Sequence, residues 1–470
     1  MSNTNTLVSR GFQVPLTEVE PAPRVITPPD PSLDGFWRCR VADRCGGAGF
    51  DEPGSGYSFS AVLAEERELE QLNQPGDPSS ALLKLSIADP TDKMSYEAFA
   101  TGIKLFHECP DASRYTDLAG VRAGNGTDLG DTHEEIVKYL IGRFPQLADQ
   151  LTVDWVQYSP GAIKRALAEY IPAAFFINEG SPTSRRQTQL LYPKPGYGVI
   201  KDAINRRGAI VTEIPLENHN DRWQMPFPWD FQLADYSPVL YLNVPHNPTG
   251  MTYDVNRWMA TLCWARDVGA IVVVDEAYID LCYRHDACSV LTIPGWEANC
   301  IVLQSVSKGW DATGLRFGWI VAHPTAIKVL RKVMDLKDSG MFAPSIAAGL
   351  ECLRNPVWTT RAKQRYEQLH RLLNAGLREA GFNAPMPEAG LCQFTPAPVA
   401  VDGHRFGSII ECAKWFRQTL RVSLMDYELG RHWYLRWAVT IKPVPECDLP
   451  TRESVIAEVC RRLGEHRLSF

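Results

Sequence analysis

Three stretches decide the fold: VLYLNVPHNPTG at residues 239–250, AIVVVDEAY at 270–278 and CIVLQSVSKGWDATGLRFGW at 300–319. Each opens on a short run that is apolar almost throughout, Val239–Val244, Ala270–Val274 and Cys300–Gln304, and an earlier run of the same kind is Ala209–Ile214. Continuous apolar strands are buried on both faces, which is the signature of a parallel sheet covered by helices. The spacing agrees, because 31 residues separate Val239 from Ala270 and 30 separate Ala270 from Cys300, about one strand–helix–strand unit each. Between the runs Val239–Val244 and Ala270–Val274, Asp254 is placed to cap a helix, Gly269 to end it, and Val255, Trp258, Met259, Leu262 and Ala265 to form its apolar face. Gly318–Val321 supplies another strand directly after a turn.

Working outward, the 470 residues suffice for two or three domains. Helices are expected from near Asp131–Thr132, over Thr359–Ala380 and over Arg452–Leu463, the last two flanking short strands of a second α/β region. Residues 1–80 differ from the rest. They hold six arginines, no lysine and twelve acidic residues, so that −6 of the formal net charge of −7 lies there. Nine of the 34 prolines and a glycine-rich stretch from Gly46 to Gly56 make this segment an irregular extension with one short helix near Ser58–Leu72.

With 48 basic against 55 acidic residues the chain does not have the balance of a nucleic-acid binder. No apolar run reaches the length that crosses a bilayer. The first residues resemble neither a secretory signal nor a transit peptide, which points to the cytoplasm. Twelve cysteines at irregular spacing suggest reduced, buried thiols rather than a disulfide framework. Cys39 and Cys45 lack a second ligand pair, so no metal site is expected.

In an open α/β sheet, ligands collect beyond the carboxyl ends of the strands. Those ends carry Asn247, then Asp275 and Tyr278, then Ser305, Ser307 and Lys308, with Arg316 eight residues further on. An amine, an acid, a phenol, an amide, two hydroxyls and a guanidinium around one crevice are the set that pyridoxal 5′-phosphate requires. The amine forms a Schiff base and the acid keeps the ring nitrogen protonated. The phenol and amide bond the ring oxygen, while the hydroxyls, the guanidinium and helix-start N–H groups hold the phosphate.

The order HNPTG, DEAY, SVSKGWDATGLRFGW resembles the class I/II aminotransferases of pyridoxal-phosphate fold type I, over about residues 80–470. The resemblance implies a large domain over 126–345 and a smaller one from 81–125 with 346–470. It makes Lys308 the Schiff-base lysine, Asp275 the pyridinium partner, and Tyr278 and Asn247 the contacts to the ring oxygen. Ser305, Ser307 and Arg316 match phosphate ligands, and Arg436 matches the clamp on the substrate α-carboxylate. Tyr197 stands where the family places the aromatic that covers the cofactor face, and Gly161, Ala162 and Ile163 where it has the phosphate loop. Tyr115 resembles the tyrosine that reaches the neighbouring subunit's phosphate, implying a homodimer. Ala88 replaces a glycine that the family commonly keeps beside the substrate. The implied function is transamination of an α-amino acid, in specialised metabolism given the long arm. Elimination or γ-replacement on a substrate of the S-adenosylmethionine type is the alternative. A DNA-binding regulator on the same fold would need a basic arm, and this arm is acidic.

Overall fold

The computed structural model describes residues 58–108, 132–176, 187–226 and 236–470, which fall within one compact unit, Tyr57–Phe470. Tyr115, Cys39 and Cys45 lie outside the described residues. The main sheet has seven strands, numbered here along the chain: β1 Val156–Pro160, β2 Thr188–Lys194, β3 Ile210–Pro215, β4 Ser237–Asn243, β5 Ile271–Asp275, β6 Cys300–Ser305 and β7 Phe317–Ala322. Their order is β1-β7-β6-β5-β4-β2-β3. Pairing is parallel from β3 through β2, β4 and β5 to β6, whereas β7 runs antiparallel to both β6 and β1. The sheet is therefore mostly parallel, as the apolar runs imply.

β4, β5 and β6 are buried almost throughout, but β3 is not. Of its six residues only Ile214 is buried, because β3 closes one edge of the sheet. Glu213 on this edge pairs with Lys194 at 2.6 Å and Lys201 at 3.0 Å. The helix after β4, Val255–Val268, starts where Asp254 accepts the Arg257 N–H at 2.9 Å and ends at Gly269 in the left-handed region (φ +68°). Its buried stripe is Trp258, Thr261, Leu262 and Ala265. Val255 and Met259, expected on that face, are about half exposed, since they flank the stripe rather than lie on it.

The connection from β5 to β6 departs from the expected helical crossover: residues 276–299 form three short 3₁₀ turns, Ile279–Leu281, Val290–Thr292 and Trp296–Ala298. A buried acid holds this path in place. Glu276 accepts hydrogen bonds from Ser289 Oγ (2.8 Å), the Val290 N–H (2.9 Å) and Gln304 Nε2 (2.7 Å), while burial raises its carboxyl to about 7.

Among the described residues two large apolar cores form, beside a small cluster of Ile279, Cys282 and Ala389. The larger surrounds the main sheet and includes Ala98 and Leu105 of the helix Tyr96–Glu108, which packs on the helix Ala343–Arg354. The second gathers the helices Val357–Glu379, Ile409–Gln418 and Arg452–Gly464 around the antiparallel strands Cys392–Pro396, His432–Ala438 and Met425–Leu429. The helix Tyr96–Glu108 thus packs in the larger core, although its sequence position had grouped it with the smaller domain. Among the described residues, no helix is long and apolar enough to cross a membrane.

Candidate active site

The carboxyl ends of β4 and β5 are tied together by one side chain. Asn243 Nδ2 donates to the Asp275 carbonyl at 3.0 Å, and its Oδ1 accepts the Asn247 N–H at 2.8 Å, fixing the Val244–Gly250 turn over the end of β5. Gly250 (φ +73°) leaves no room for a side chain: a Cβ there would lie 2.9 Å from Pro387 Cβ and 3.0 Å from the Ala389 carbonyl. His246 in this turn is buried and bonded to Thr249 Oγ1 at 2.8 Å. Burial drops its imidazole to about 3, so it is a neutral spacer at physiological pH.

Asp275, 3% exposed, ends β5. Its Oδ1 accepts the Ala277 N–H at 3.0 Å and its Oδ2 the Tyr241 hydroxyl at 3.0 Å. Burial raises the carboxyl from its ordinary 3.8 to about 6, with those donors opposing the rise. Among the described residues no ion pair reaches it.

β6 leads into Ser305, Ser307 and Lys308. Lys308 Nζ donates to the Ala88 carbonyl at 2.8 Å and lies 3.5 Å from Asp89 Oδ1. Burial holds this amine below its ordinary value, with Asp89 working in the other direction. Arg316, exposed and in the left-handed region (φ +56°), donates to the carbonyls of Thr313 and Gly161, both at 2.8 Å. The loop it joins carries two successive positive φ values, +77° at Gly161 and +56° at Ala162. The second is a strained conformation for a residue with a Cβ, of the kind that tends to sit at functional sites.

Arg436 arrives from the second core on the strand His432–Ala438. It is 1% exposed, and its guanidinium donates to Asn247 Oδ1 at 3.1 Å and to the Ser86 carbonyl. A cavity of about 630 Å³ brings these groups together. Ala88, Ala162, Ile163, Tyr197, Asn247, Asp275, Tyr278, Ser305, Ser307, Lys308, Arg316 and Arg436 all line it. Gly161 stands just behind the wall, its carbonyl turned to Arg316. The sequence reading missed Asn243, Asp89, Lys164, Thr313 and Leu63 of the wall. Asn243 was visible as the polar residue closing an apolar strand, whereas nothing in the sequence marks Leu63, which reaches the cavity from the helix Ser58–Glu70.

The family model for aminotransferase class I and II matches residues 133–422. LL-diaminopimelate aminotransferase of Methanococcus maripaludis is 27% identical over 441 residues, covering 93% of this chain and 100% of that protein. The Methanocaldococcus jannaschii protein of the same name is 28% identical with the same coverage. Among solved structures, N-succinyldiaminopimelate aminotransferase from Mycobacterium tuberculosis superposes with a TM-score of 0.71 at 16% identity, covering 90% of this chain and 99% of that one. Aspartate aminotransferase from Thermotoga maritima gives 0.72 at 15% identity, covering 90% and 100%. At such identity these two speak for the fold alone.

Proposed function

The chain belongs to the class I and II aminotransferase family, and from that premise we propose that it transfers the amino group of an α-amino acid to a keto acid with pyridoxal 5′-phosphate held by Lys308. The observation that carries this reading is the buried Asp275 carboxyl at the floor of a cavity that also holds Lys308, Arg316 and Arg436. It has two hydrogen-bond donors and, among the described residues, no ion-pair partner, only the more distant charge of Lys308, and a protonated ring nitrogen would supply a cation in direct contact. The donor set fits the rest of the group equally well.

Bound there, pyridoxal phosphate would supply an aldehyde for an amine to condense with and a ring that accepts the electron pair of the substrate Cα–H bond. The protein's part is positioning and proton handling. Asp275 holds the proton on the ring nitrogen. Burial raises the Tyr278 phenol well above its ordinary value, so it stays a donor and, with Asn247, would hold the ring oxygen. Ser305, Ser307, Arg316 and the N–H groups of Ala162 and Ile163 would hold the phosphate, and the Tyr197 ring would cover one face. Arg436 fixes the substrate carboxylate, aligning the Cα–H bond with Lys308, whose lowered basicity suits it to take and return that proton.

The named relatives are aminotransferases, which disfavours elimination or γ-replacement. LL-diaminopimelate, the substrate in their names, is the first amino donor to try. The two cores support a division into a larger cofactor-binding domain and a smaller domain carrying Arg436. A homodimer is supported by the helix Tyr96–Glu108, which turns Tyr96, Phe99, Ile103 and Phe106 outward at helical spacing, Phe106 lying 5.8 Å from the exposed Phe342. A second copy covers that face in the proposed assembly, where Tyr115 would reach the neighbouring phosphate. Nine described cysteines are free thiols, in keeping with a cytoplasmic setting. The test is Lys308→Ala: the cofactor-loaded protein should show visible absorption from the lysine-bound cofactor that the variant lacks, and persistence of that band would refute the assignment.

A further inference from the structure

The helix Ser58–Glu70 buries one acid that the reaction described above does not use. Glu66 is 2% exposed, and its Oε1 accepts the Ser86 hydroxyl at 2.5 Å and the Ser423 hydroxyl at 2.6 Å. Among the described residues no ion pair reaches it. Burying a carboxyl group against two hydroxyls costs free energy relative to an apolar side chain of the same size. Its placement therefore invites a role.

That role follows from what Ser86 does. Up to Leu85 the segment is held by backbone bonds: the Leu85 N–H donates to the Ser423 carbonyl at 2.7 Å, and its carbonyl accepts the Ala438 N–H at 2.8 Å. Beyond that point the chain turns along the cavity wall and presents carbonyls to two cations of the site, the buried Arg436 and the partly buried Lys308. The Ser86 carbonyl takes the Arg436 guanidinium, and the Ala88 carbonyl takes Lys308 Nζ. The Ser86 hydroxyl anchors this strip from behind, on Glu66. Leu63, one turn earlier on the same helix, forms part of the cavity wall.

We infer that Glu66 is a positioning residue: through the Ser86 hydroxyl it fixes the carbonyl that orients Arg436 for the substrate carboxylate. Ser423, bonded to the same oxygen, secures Glu66 to the short strand Val422–Ser423 but does not line the cavity. The helix has independent moorings, since Arg417 Nε donates to Glu65 at 2.7 Å and Arg421 Nη2 to the Leu69 carbonyl at 2.9 Å. Loss of the Glu66 carboxyl therefore leaves the helix in place.

The inference rests on the proposed role of Arg436, so the experiment tests both separately. Steady-state kinetics and visible spectra of the cofactor-loaded full chain are compared for Ser86→Ala, Ser423→Ala, Glu66→Ala, Glu66→Gln and Arg436→Lys. Ser86→Ala and Glu66→Ala should raise KM for the amino donor about tenfold while the lysine-bound cofactor spectrum and kcat change little, because a misplaced clamp weakens substrate alignment. Glu66→Gln keeps an acceptor oxygen and should restore most of the affinity. Ser423→Ala should leave KM within about twofold, by the same reasoning. Equal KM changes in Ser86→Ala and Ser423→Ala, or no change in Ser86→Ala while Arg436→Lys raises KM, overturn the inference. An unchanged KM in Arg436→Lys instead refutes the role of Arg436 itself.

Discussion

Replacing Asp275 with asparagine pits stability against function, and both effects have a size. In the cofactor-free protein burial lifts this carboxyl from 3.8 to about 6, which at about 1.4 kcal/mol per pKa unit amounts to about 3 kcal/mol favouring the protonated form. A carboxyl whose folded value lies above its unfolded value binds its proton more tightly in the folded state. The apoprotein therefore loses stability as pH rises from about 4 to about 6, and the whole cost is in place above about 7. Asparagine does not ionise there, but it keeps one acceptor oxygen for the two donors Tyr241 and Ala277, a loss of about 1 kcal/mol. Relative to the parent, Asp275→Asn should be about 1 kcal/mol less stable near pH 4 and about 2 kcal/mol more stable at pH 7.5. Glu276, raised to about 7, is present in both proteins and cancels in the difference. Urea denaturation of the two apoproteins between pH 4 and 8 measures it. With pyridoxal phosphate bound, the ring nitrogen gives the parent's carboxylate its cation and the advantage of asparagine disappears, while transamination by the variant falls about a hundredfold or more. A stability difference that stays flat with pH, or a variant less stable than the parent at pH 7.5, would refute the reasoning.

Phe99→Glu combined with Phe106→Glu puts charge on the outward face of the helix Tyr96–Glu108 and leaves its buried Ala98 and Leu105 untouched. Sedimentation should show a dimer for the parent and a monomer for the double variant; two dimers would mean that this face is not the interface. Trp258 is fully buried under the main sheet with its Nε1–H donated to the Cys288 carbonyl at 3.0 Å, so Trp258→Ala should cost about 3–5 kcal/mol in chemical denaturation. A loss under about 1 kcal/mol would contradict the packing described for that helix.

The centre of the sheet was legible because β4, β5 and β6 are apolar on both faces, and only buried parallel strands read that way. β1 was not. Its sequence VQYSP looks like a polar loop, yet all five residues are buried, since Gln157 Oε1 accepts from Arg331 at 2.7 Å and Ser159 Oγ donates to the Ala162 carbonyl at 3.0 Å. Polar groups satisfied by distant partners leave no periodic trace in the sequence. The β5–β6 crossover misled for a related reason, because the length of a helical unit was filled by turns hung on Glu276. The site was legible where its residues directly follow recognisable strands, as Asn247, Asp275 and Lys308 do. Leu63 and Glu66 stand 181 or more residues before all three, in an extension read as irregular with one short helix, and only the fold returns Leu63 to the cavity and Glu66 to the strip behind it.

A single half-reaction shows whether this cavity moves an amino group. Protein loaded with pyridoxal phosphate is mixed with LL-diaminopimelate and other α-amino acids, with no keto acid present. An accepted donor should abolish the lysine-bound cofactor absorption, leave the amine form of the cofactor on the protein and release one keto acid per chain, and added keto acid should restore the original spectrum. Release of ammonia or of the donor's side-chain leaving group, with the spectrum returning unaided, would contradict amino-group transfer.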